Sequence, residues 1–448
     1  MIPEIEIGWG VFETPEEACE AAFAAQKDYV ENYTTSDRAR FIAAVRKKLL
    51  DHVNELTDLE YEETHYGRAT DKLEKNIDTY TNVPGVEMLP TGVMASSDGL
   101  TVDFYAPWGV ICAITPVTNP SATIAGNGVS NLAAGNAVVF NAHPAAKVST
   151  ALALQYVNQA IVEAGGPNNM LTCCKIPTME TLDRIMKNQA IRVIIGTGGE
   201  AMVKNIMGTG KKVIAAGPGN PPCLVDETVD VVKAATEIVG NCSFENNLMC
   251  VAEKEIFVVD EVFDAFMDAM EATGCKRLTA EEAAICNEKC VTVSPEGKTS
   301  ANKKFVGQNA NWILGQLGIE CEGDPRLAFF EAKNEDNLVQ TEQMMPIMPV
   351  VRVKDFEDGL QKAFAAEHNN HHSSACWTLR TDRFTRFATL LNTTACVQCG
   401  GTLAAFGHNG TGLSAPTIAT PTGEGPTGPW SFLRRRRVAF AGGLNYML

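Results

Sequence analysis

The sequence predicts an α/β protein with a parallel, doubly wound sheet, and three features of the chain support this prediction. Strand-like and helical segments alternate between residues 109 and 216, a second α/β stretch begins near Cys250, and an early hairpin is matched by a strand-like tail. Such alternation is typical of parallel sheets that are covered by helices on both faces. We therefore expect two interleaved α/β domains and a small β element.

The N-terminal part of the chain is predicted to be helical. Thr14 and Glu17 form a capping box with Pro15 at the first helical position, which indicates the start of a helix. A second helix is expected from Ser36, where apolar residues recur every four positions, and a third helical pattern covers residues 59–73. The first ~80 residues are therefore expected to be largely helical.

The alternating region that follows is divided into strands and helices by its apolar runs and glycines. Predicted strands cover residues 109–115, 137–141, 170–174, 192–195 and 212–216. Predicted helices cover residues 122–134, 145–164, 181–187 and 200–207. In the second stretch we expect strands at 255–259 and 349–353 and a helix from Asp260.

The small β element is predicted from two distant segments. Residues 93–105 have an extended pattern, and Asp98-Gly99 suits the positive backbone angles of a tight hairpin turn. The tail from Pro421 is rich in glycine and proline and ends in a strand-like segment at residues 434–440, for which no neighbour in sequence is an obvious partner. We expect this strand to pair with the hairpin.

Charge and hydropathy exclude several classes of partner. The 448 residues contain 37 Lys+Arg against 54 Asp+Glu, so the net charge of -17 repels nucleic acid and anionic membrane surfaces. No run approaches the ~18 apolar residues of a membrane span, and the first residues lack the pattern of a signal peptide. A cytoplasmic location is therefore expected.

The cysteines predict thiols rather than disulfides or a metal centre. A chain of this length without a secretory signal is expected to keep its 14 cysteines reduced. Cys396 and Cys399 form a CxxC pair, but zinc needs a second ligand pair and none stands out. The cluster His368, His371 and His372 is a second possible metal site, yet no acid or cysteine cluster accompanies it. We predict no metal.

Nucleotide binding is not indicated by a standard motif. The sequence contains neither a GxGxxG fingerprint nor a P-loop. Gly196, Gly198 and Gly199 stand at a predicted strand-to-helix turn, where glycines allow the backbone to approach a phosphate or simply form a turn. Both interpretations stay open on these residues alone.

Cys250 is a candidate nucleophile. It follows Asn246 and Asn247 at the end of a polar segment, where two amide side chains could supply hydrogen bonds to a thiolate. Because 13 other cysteines are present, the pattern alone does not select Cys250.

A family resemblance does select it. Residues 246–255, NNLMCVAEKE, and 216–222, AGPGNPP, resemble the coenzyme A-acylating aldehyde dehydrogenases of ethanolamine and propanediol utilisation. Further similar segments cover nearly the whole chain, at residues 61–64, 114–120, 142–147, 225–228, 342–346 and 421–425.

The resemblance implies an aldehyde dehydrogenase fold with two Rossmann-like three-layer domains and a small β oligomerisation element. It implies an NAD-binding domain at residues 1–86 and 107–248, a catalytic domain at 249–427, and an oligomerisation element at 87–106 and 428–448. This family binds NAD without the usual glycine fingerprint, so the missing motif is not evidence against NAD.

The resemblance also assigns catalytic roles. Cys250 would attack the aldehyde, Asn119 would donate to the oxyanion, and His372 would transfer a proton near the thiol. The simpler interpretations are an Asn-Pro turn at Asn119 and a solvated polar turn at His372. The implied cofactor-binding residues are Thr115, Pro116, His143, Pro144, Gly198, Gly199, Gly217, Gly219 and Glu342, of which Glu342 would hold the nicotinamide ribose or be a plain surface acid.

The fate of the thioester separates two branches of the superfamily. Hydrolytic members carry a glutamate base where this chain has Ala216, so the resemblance implies transfer to coenzyme A. The expected reaction converts a short aldehyde such as propionaldehyde or acetaldehyde, coenzyme A and NAD to acyl-CoA and NADH. The alternatives are a hydrolytic NAD-dependent aldehyde dehydrogenase and a non-catalytic scaffold protein associated with a microcompartment.

Assembly follows from the same resemblance. We expect a homodimer or homotetramer built through the hairpin and tail, with possible packaging in a bacterial microcompartment and contact with its shell proteins. The run Arg434 to Arg437 lies on the predicted tail strand, where an interface, a solvated strand or a coenzyme A phosphate contact are the interpretations.

Overall fold

The computed structural model describes residues 2–444. Its strands are β1 Val11–Phe12, β2 Gly92–Ser96, β3 Gly99–Pro107, β4 Val110–Ile114, β5 Ala137–Asn141, β6 Leu171–Cys174, β7 Ile191–Thr197, β8 Lys212–Ala216, β9 Pro222–Val225, β10 Glu255–Val259, β11 Lys276–Arg277, β12 Val291–Val293, β13 Thr299–Ala301, β14 Ala328–Ala332, β15 Ile347–Val353, β16 Ser373–Trp377, β17 Ala395–Gln398, β18 Ile418–Ala419, β19 Gly425–Pro426 and β20 Leu433–Ala441.

The α-helices alternate with these strands through most of the chain. They are α1 Pro15–Asn32, α2 Thr35–Asp51, α3 Val53–Thr64, α4 Ala69–Asn82, α5 Pro120–Ala134, α6 Lys147–Glu163, α7 Met179–Lys187, α8 Glu200–Met207, α9 Val231–Ser243, α10 Asp260–Ala272, α11 Ala280–Lys289, α12 Ala310–Gln316, α13 Phe356–Ala366 and α14 Thr381–Leu391. None of the described helices is long and apolar enough to cross a membrane.

The predicted elements between residues 109 and 216 are confirmed to within about two residues at most ends, and α8 and β8 have the predicted bounds. The predicted third helix over 59–73 is wrong as a single element. His65 and Gly67 have φ values of 56° and 77°, and this left-handed backbone ends α3 and separates it from α4.

The chain forms two compact units. The first contains residues up to Thr64, Asn76–Ala216 and the chain from Ser414 onward, and the second contains His65–Lys75 and Gly217–Leu413. The division at 216/217 differs from the predicted domain boundary at 248/249, because β9 pairs with β10 and β16 in the sheet of the second unit. The functional assignment of each unit stays a prediction.

The first unit is organised around a six-stranded sheet in the order β1-β6-β5-β4-β7-β8. Every pairing in it is parallel, as predicted. From β4 the chain proceeds through β5 and β6 on one side and through β7 and β8 on the other. The strand order therefore reverses between β4 and β7, and ligands of doubly wound sheets bind outside the carboxyl ends of the strands at such a point.

The predicted pairing of tail and hairpin is confirmed. β2, β3 and β20 form a three-stranded antiparallel sheet in that order. Arg437 of β20 contacts Asp103 of β3, with 2.7 Å between Nε and Oδ1, and the side chains of residues 434–437 are largely exposed. The end of the predicted tail element, residues 445–448, lies outside the described residues.

The second unit contains a seven-stranded parallel sheet in the order β11-β14-β15-β10-β9-β16-β17. Alternate residues of β10 pack into two separate apolar clusters, Phe257 and Val259 on one face and Ile256 and Val258 on the other. A sheet that is buried on both faces in this way needs continuous apolar strands. Because β15, β10, β9 and β16 are parallel neighbours, their amino ends lie along one edge of the sheet.

Candidate active site

Four predicted site residues lie just before neighbouring strands of the second unit. Gly219 precedes β9, Cys250 precedes β10, Glu342 precedes β15 and His372 precedes β16. Because these strands are parallel, their amino ends meet at one edge of the sheet. Residues far apart in the sequence are thereby gathered into one place.

Gly219 shows how closely three of these segments approach. A Cβ atom built on Gly219 would lie 2.7 Å from Cγ of His372 and 3.1 Å from the carbonyl oxygen of Cys250. A side chain at this position would overlap the imidazole, so a glycine is required there. Gly217, at the start of the same unit, was predicted with Gly219 to bind the cofactor, and for both residues this role stays a prediction.

A turn with left-handed backbone angles lies shortly before Cys250. Glu245, Asn246 and Asn247 have φ values of 52°, 56° and 60°, a conformation that costs free energy for residues other than glycine. Lys72 and Lys75 contact the buried carboxylate of Glu245. The surrounding ion pairs thus maintain a turn that the local sequence alone disfavours.

The two asparagines of this turn hold the loop. Asn246 Nδ2 donates to the carbonyl of Gly307 at 3.0 Å, and Asn247 Nδ2 donates to the carbonyls of Cys242 and Glu253 at 2.7 and 2.8 Å. Asn246 Nδ2 also donates to Oδ1 of Asn309 at 2.8 Å. The expectation that these amides hydrogen-bond the thiolate is therefore wrong, because both side-chain donors of each amide already have partners.

Cys250 is half-buried and its thiol is held in the neutral form. All 14 cysteines are free. Burial, with the charge of Glu342 as the next cause, raises the pKa of Cys250 to about 12, and the ammonium of Lys254 opposes this shift. A thiolate at this position therefore depends on how its charged neighbours are protonated.

Glu342 is the nearby carboxyl that titrates close to neutral pH. Burial raises the pKa of Glu342 to about 7, while Lys254 and the backbone N–H of Gly219 act in the opposite direction. The Oε1 atom of Glu342 is buried and has no hydrogen-bond partner among the described residues. This carboxyl can take or release a proton beside the thiol at neutral pH.

His372 is held as a single neutral tautomer. Its Nδ1 lies 3.2 Å from Oγ of Ser373, and that hydroxyl donates its one hydrogen to the carbonyl of Val251 at 3.0 Å. The hydroxyl can therefore only accept from the imidazole, which places the proton on Nδ1. Nε2 is buried without a hydrogen-bond partner among the described residues and carries a free lone pair.

Burial also keeps His372 uncharged. Burial and the nearby ammonium of Lys254 lower the pKa of His372 to about 4. The other two histidines of the cluster contact different backbone carbonyls, since His368 Nε2 lies 3.0 Å from the oxygen of Gln340 and His371 Nδ1 lies 3.1 Å from that of Asn392. The three imidazoles thus have separate partners, and His372 alone belongs to the edge that contains Cys250.

The first unit gathers a different set of predicted residues at the carboxyl edge of its sheet. Thr115, Pro116 and Asn119 follow β4, and Gly198 and Gly199 follow β7, on either side of the reversal in strand order. This is the expected position of a nucleotide site in a doubly wound sheet.

Unsatisfied polar atoms mark this edge. Thr115 Oγ1 and Asn119 Oδ1 are buried and have no hydrogen-bond partner among the described residues, while Asn119 Nδ2 donates to Thr118 Oγ1 at 3.1 Å. Gly199 is the N-cap residue of α8 and provides no side-chain cap, so the first N–H groups of that helix can receive a phosphate. The helix N-terminus suits an anionic group, and the unpaired oxygen atoms suit hydrogen-bond donors, so the edge fits a polar ligand such as NAD.

His143 and Pro144 are exposed at the same edge, in the turn before α6. The N-terminus of α6 is occupied by Glu63, whose carboxylate accepts from the N–H groups of Val148 and Ser149 at 2.8 and 2.9 Å. An anion is therefore unfavourable at this helix end. The role of His143 and Pro144 in cofactor binding stays a prediction.

Comparison with known proteins gives a consistent result. The sequence model of the aldehyde dehydrogenase family matches residues 12–405 of this chain. The chain is 40% identical to an acetaldehyde dehydrogenase (acetylating), EutE, of Escherichia coli strain K12 over 96% of this chain and 91% of that protein. It is 37% identical to a propanal dehydrogenase (CoA-propanoylating) of Citrobacter freundii over 98% of this chain and 94% of that protein.

Solved structures agree with these relatives. A propionaldehyde dehydrogenase of Rhodopseudomonas palustris, with bound CoA and an acylated cysteine, superposes with a TM-score of 0.94 at 39% identity, covering 98% of this chain and 100% of that chain. A propionaldehyde dehydrogenase from the fucose utilisation microcompartment of Clostridium phytofermentans gives a TM-score of 0.93 at 38% identity, covering 96% and 98%. The predicted fold class is confirmed.

Proposed function

The chain belongs to the aldehyde dehydrogenase family, and we propose that it is an NAD-dependent, coenzyme A-acylating member of it. The reaction converts a short aldehyde, coenzyme A and NAD to acyl-CoA and NADH through a thioester on Cys250. The observation that carries the proposal is the gathering of Cys250, Glu342 and a neutral His372 at one edge of the second unit.

The first step forms a bond between the sulfur of Cys250 and the aldehyde carbon. The thiol must first lose its proton, and Glu342 is a suitable acceptor because its pKa is about 7. When Glu342 takes the proton it becomes neutral, which removes the carboxylate charge that opposes the thiolate. The role of Asn119 as a hydrogen-bond donor to the oxyanion, which the resemblance implies, stays a prediction.

NAD supplies the hydride acceptor that allows the thiohemiacetal to become a thioester. Thr115, Gly198 and Gly199 in the first unit would hold it, because Thr115 Oγ1 is buried without a hydrogen-bond partner among the described residues and Gly199 begins α8 without a side-chain cap. Glu342 remains the predicted contact for the nicotinamide ribose. This role and proton acceptance from Cys250 are separate uses of the same carboxyl group.

The second half of the reaction transfers the acyl group to coenzyme A. The free lone pair of His372 Nε2 can accept the proton of the incoming thiol, and burial of the imidazole favours the release of that proton afterwards. Attack by the sulfur of coenzyme A on the thioester releases acyl-CoA and returns Cys250 as thiolate. His372 is therefore the proposed base for acyl transfer.

The two alternatives have less support. A hydrolytic dehydrogenase would need a base for water, and the position implied for it is Ala216, a buried residue at the end of β8. A non-catalytic scaffold would not need a thiol, a neutral histidine and a titratable carboxyl at one edge. We retain both alternatives as outcomes of the experiments.

Assembly and location remain predictions. One structural relative comes from a bacterial microcompartment, and packaging of this chain in such a compartment, with contacts to shell proteins, is part of our proposal. A homodimer or homotetramer built through β2, β3 and β20 is likewise proposed, because this sheet has two strand edges open to further pairing in the described chain.

A single-turnover experiment tests the proposed nucleophile. Protein mixed with propionaldehyde and NAD, but without coenzyme A, should form one NADH per site and carry a propionyl group on the peptide that contains Cys250. Replacement Cys250→Ser should abolish both signals while leaving NAD binding unchanged, and Cys321→Ser, at another half-buried thiol of the same unit, should behave as the original protein. A propionyl group on another residue, or NADH formation by Cys250→Ser, would refute the proposal.

A further inference from the structure

Lys254 connects the segments that form the candidate active site. Its backbone N–H donates to the carbonyl of Pro221 at 2.9 Å, next to the segment that contains Gly219. Its carbonyl accepts from Nε2 of Gln343, the neighbour of Glu342, at 2.7 Å. The main chain of this one residue therefore joins the segments before β9 and β15 to the segment before β10.

The side chain of Lys254 is directed to the turn before Cys250. Nζ donates to the carbonyl oxygen and Oδ1 of Asn247 at 2.8 and 2.6 Å and to the carbonyl of Met249 at 2.8 Å. The three protons of an ammonium group are thus all used. Because Asn247 has the left-handed backbone conformation, these bonds hold the turn in the form that places Cys250.

The ammonium group also places a positive charge in the protein interior. Burial lowers the pKa of Lys254, whereas the charges of Glu342 and Cys250 oppose this shift and favour the ammonium form. Lys254 is fully buried, and the hydrogen-bond acceptors of Nζ are amide and carbonyl oxygens rather than carboxylates of the described residues. A buried cation that has oxygen dipoles but no direct anionic partner favours any negative charge that forms nearby. The thiolate of Cys250 is such a charge.

The other titratable groups around Lys254 are Glu253 and Glu255 on its own strand segment, Glu342 before β15 and His372 before β16. Burial raises the pKa of Glu255 well above its ordinary value, which favours the neutral form of this carboxyl group. The carboxyl group of Glu253 accepts hydrogen bonds from the N–H of Thr402 at 2.9 Å and from the side chain of Asn241. Glu342 is therefore the carboxylate whose charge competes with the thiolate for Lys254.

We propose that Lys254 is a positioning residue that holds the turn before Cys250 and whose buried charge makes the thiolate accessible. The inference rests on the proposed function only in taking Cys250 as the nucleophile. A merely structural role would keep the turn folded without changing the acidity of the thiol, so the two roles can be separated by measuring thiol reactivity.

The test is the pH dependence of Cys250 alkylation by iodoacetamide, followed by mass spectrometry of its peptide, without aldehyde or cofactor. Lys254→Met and Lys254→Gln should each lower the rate at pH 8 by about tenfold or more, which corresponds to a rise of one pKa unit in the thiol. Lys254→Arg keeps the charge and should stay within about threefold of the original rate. Lys333→Met removes an exposed lysine of the same unit and should have no effect.

Each outcome decides the inference. Unchanged alkylation of Cys250 in the folded Met or Gln variant would overturn it, and so would a Lys254→Arg variant as unreactive as Lys254→Met. If Lys254→Met does not fold, the alkylation rate of Lys254→Gln, which retains hydrogen-bond donors without the charge, is compared with that of the original protein. Failure of the original protein to form acyl-CoA would refute the proposed function but would leave the alkylation result valid, so the two failures are distinguishable.

Discussion

Gly219 and His372 are in such close approach that a Cβ atom on the glycine would lie 2.7 Å from Cγ and 2.9 Å from Cδ2 of the imidazole. Gly219 lies in the segment that leads into β9, and His372 is the last residue before β16, which pairs with β9. The backbone at Gly219 therefore packs directly against the imidazole ring of His372.

This contact predicts that Gly219→Ala lowers the acyl transfer rate. The added methyl group must displace the imidazole, which loses its alignment with Ser373, and we expect kcat to fall by about tenfold to a hundredfold. The measurement is steady-state NADH formation with saturating coenzyme A. Gly240→Ala in α9 is the matched control, because its added methyl group would meet no atom within 4 Å, and equal losses in both variants would contradict the explanation.

Replacement of His372 should separate the two halves of the reaction. Asparagine cannot accept a proton from coenzyme A, so His372→Asn should lower kcat by roughly 10²–10⁴-fold while a first turnover still produces about one NADH per site. Rapid-mixing absorbance at 340 nm measures this burst, and the acyl-enzyme should accumulate in the presence of coenzyme A. Loss of the burst together with steady-state turnover would show instead that His372 acts before thioester formation.

The lowered pKa of His372 also predicts acid sensitivity. Its pKa is about 4 in the folded chain against an ordinary value of 6.5, so between these values the unfolded chain binds a proton that the folded chain does not. Stability is therefore lost as pH falls below about 6.5. When the pH is lowered from 7.5 to 5.0, the free energy of unfolding of the original protein should fall by about 2 kcal/mol more than that of His372→Asn.

Thermal unfolding of the two proteins at both pH values measures this difference. The carboxyl of Glu342 has the opposite effect, because its raised pKa adds stability that is lost as pH rises through about 7. Since Glu342 is present in both proteins, its contribution largely cancels. An equal loss of stability in the two proteins would mean that His372 is not buried in the neutral form.

Removal of the Glu342 charge should make Cys250 more acidic. Among the neighbouring charges, the carboxylate of Glu342 raises the pKa of the thiol most strongly. Iodoacetamide should therefore alkylate Cys250 faster in Glu342→Gln than in the original protein at pH 8. The same variant should have a higher KM for NAD if the predicted ribose contact exists. Slower alkylation would show that Glu342 favours the thiolate, contrary to our account.

Much of the fold was predictable from local patterns. The strands β4 to β8 and the helices between them follow apolar runs and glycines that are visible in the sequence, and the pairing of β20 with the hairpin followed from a strand that needed a partner. The break between α3 and α4 was missed because the left-handed conformations of His65 and Gly67 are imposed by the folded chain. Local periodicity cannot show them.

The candidate site was harder to predict than the fold. Cys250 and His372 were identified by resemblance, whereas Lys254 was missed, because a run of three charged residues at 253–255 ordinarily indicates an exposed segment. All three are fully buried here. Ser373, which fixes the tautomer of His372, was also missed, since a serine in a strand carries no distinctive signal. Both roles depend on contacts between distant segments.

The most direct test of the central claim is NADH formation at 340 nm with propionaldehyde and NAD, with and without coenzyme A, followed by mass spectrometry of the product. We predict continuous turnover only when coenzyme A is present, with one propionyl-CoA formed for each NADH. Continuous turnover without coenzyme A, with release of free propionate, would identify a hydrolytic dehydrogenase and contradict the account. Absence of NADH over a range of aldehydes would favour the scaffold.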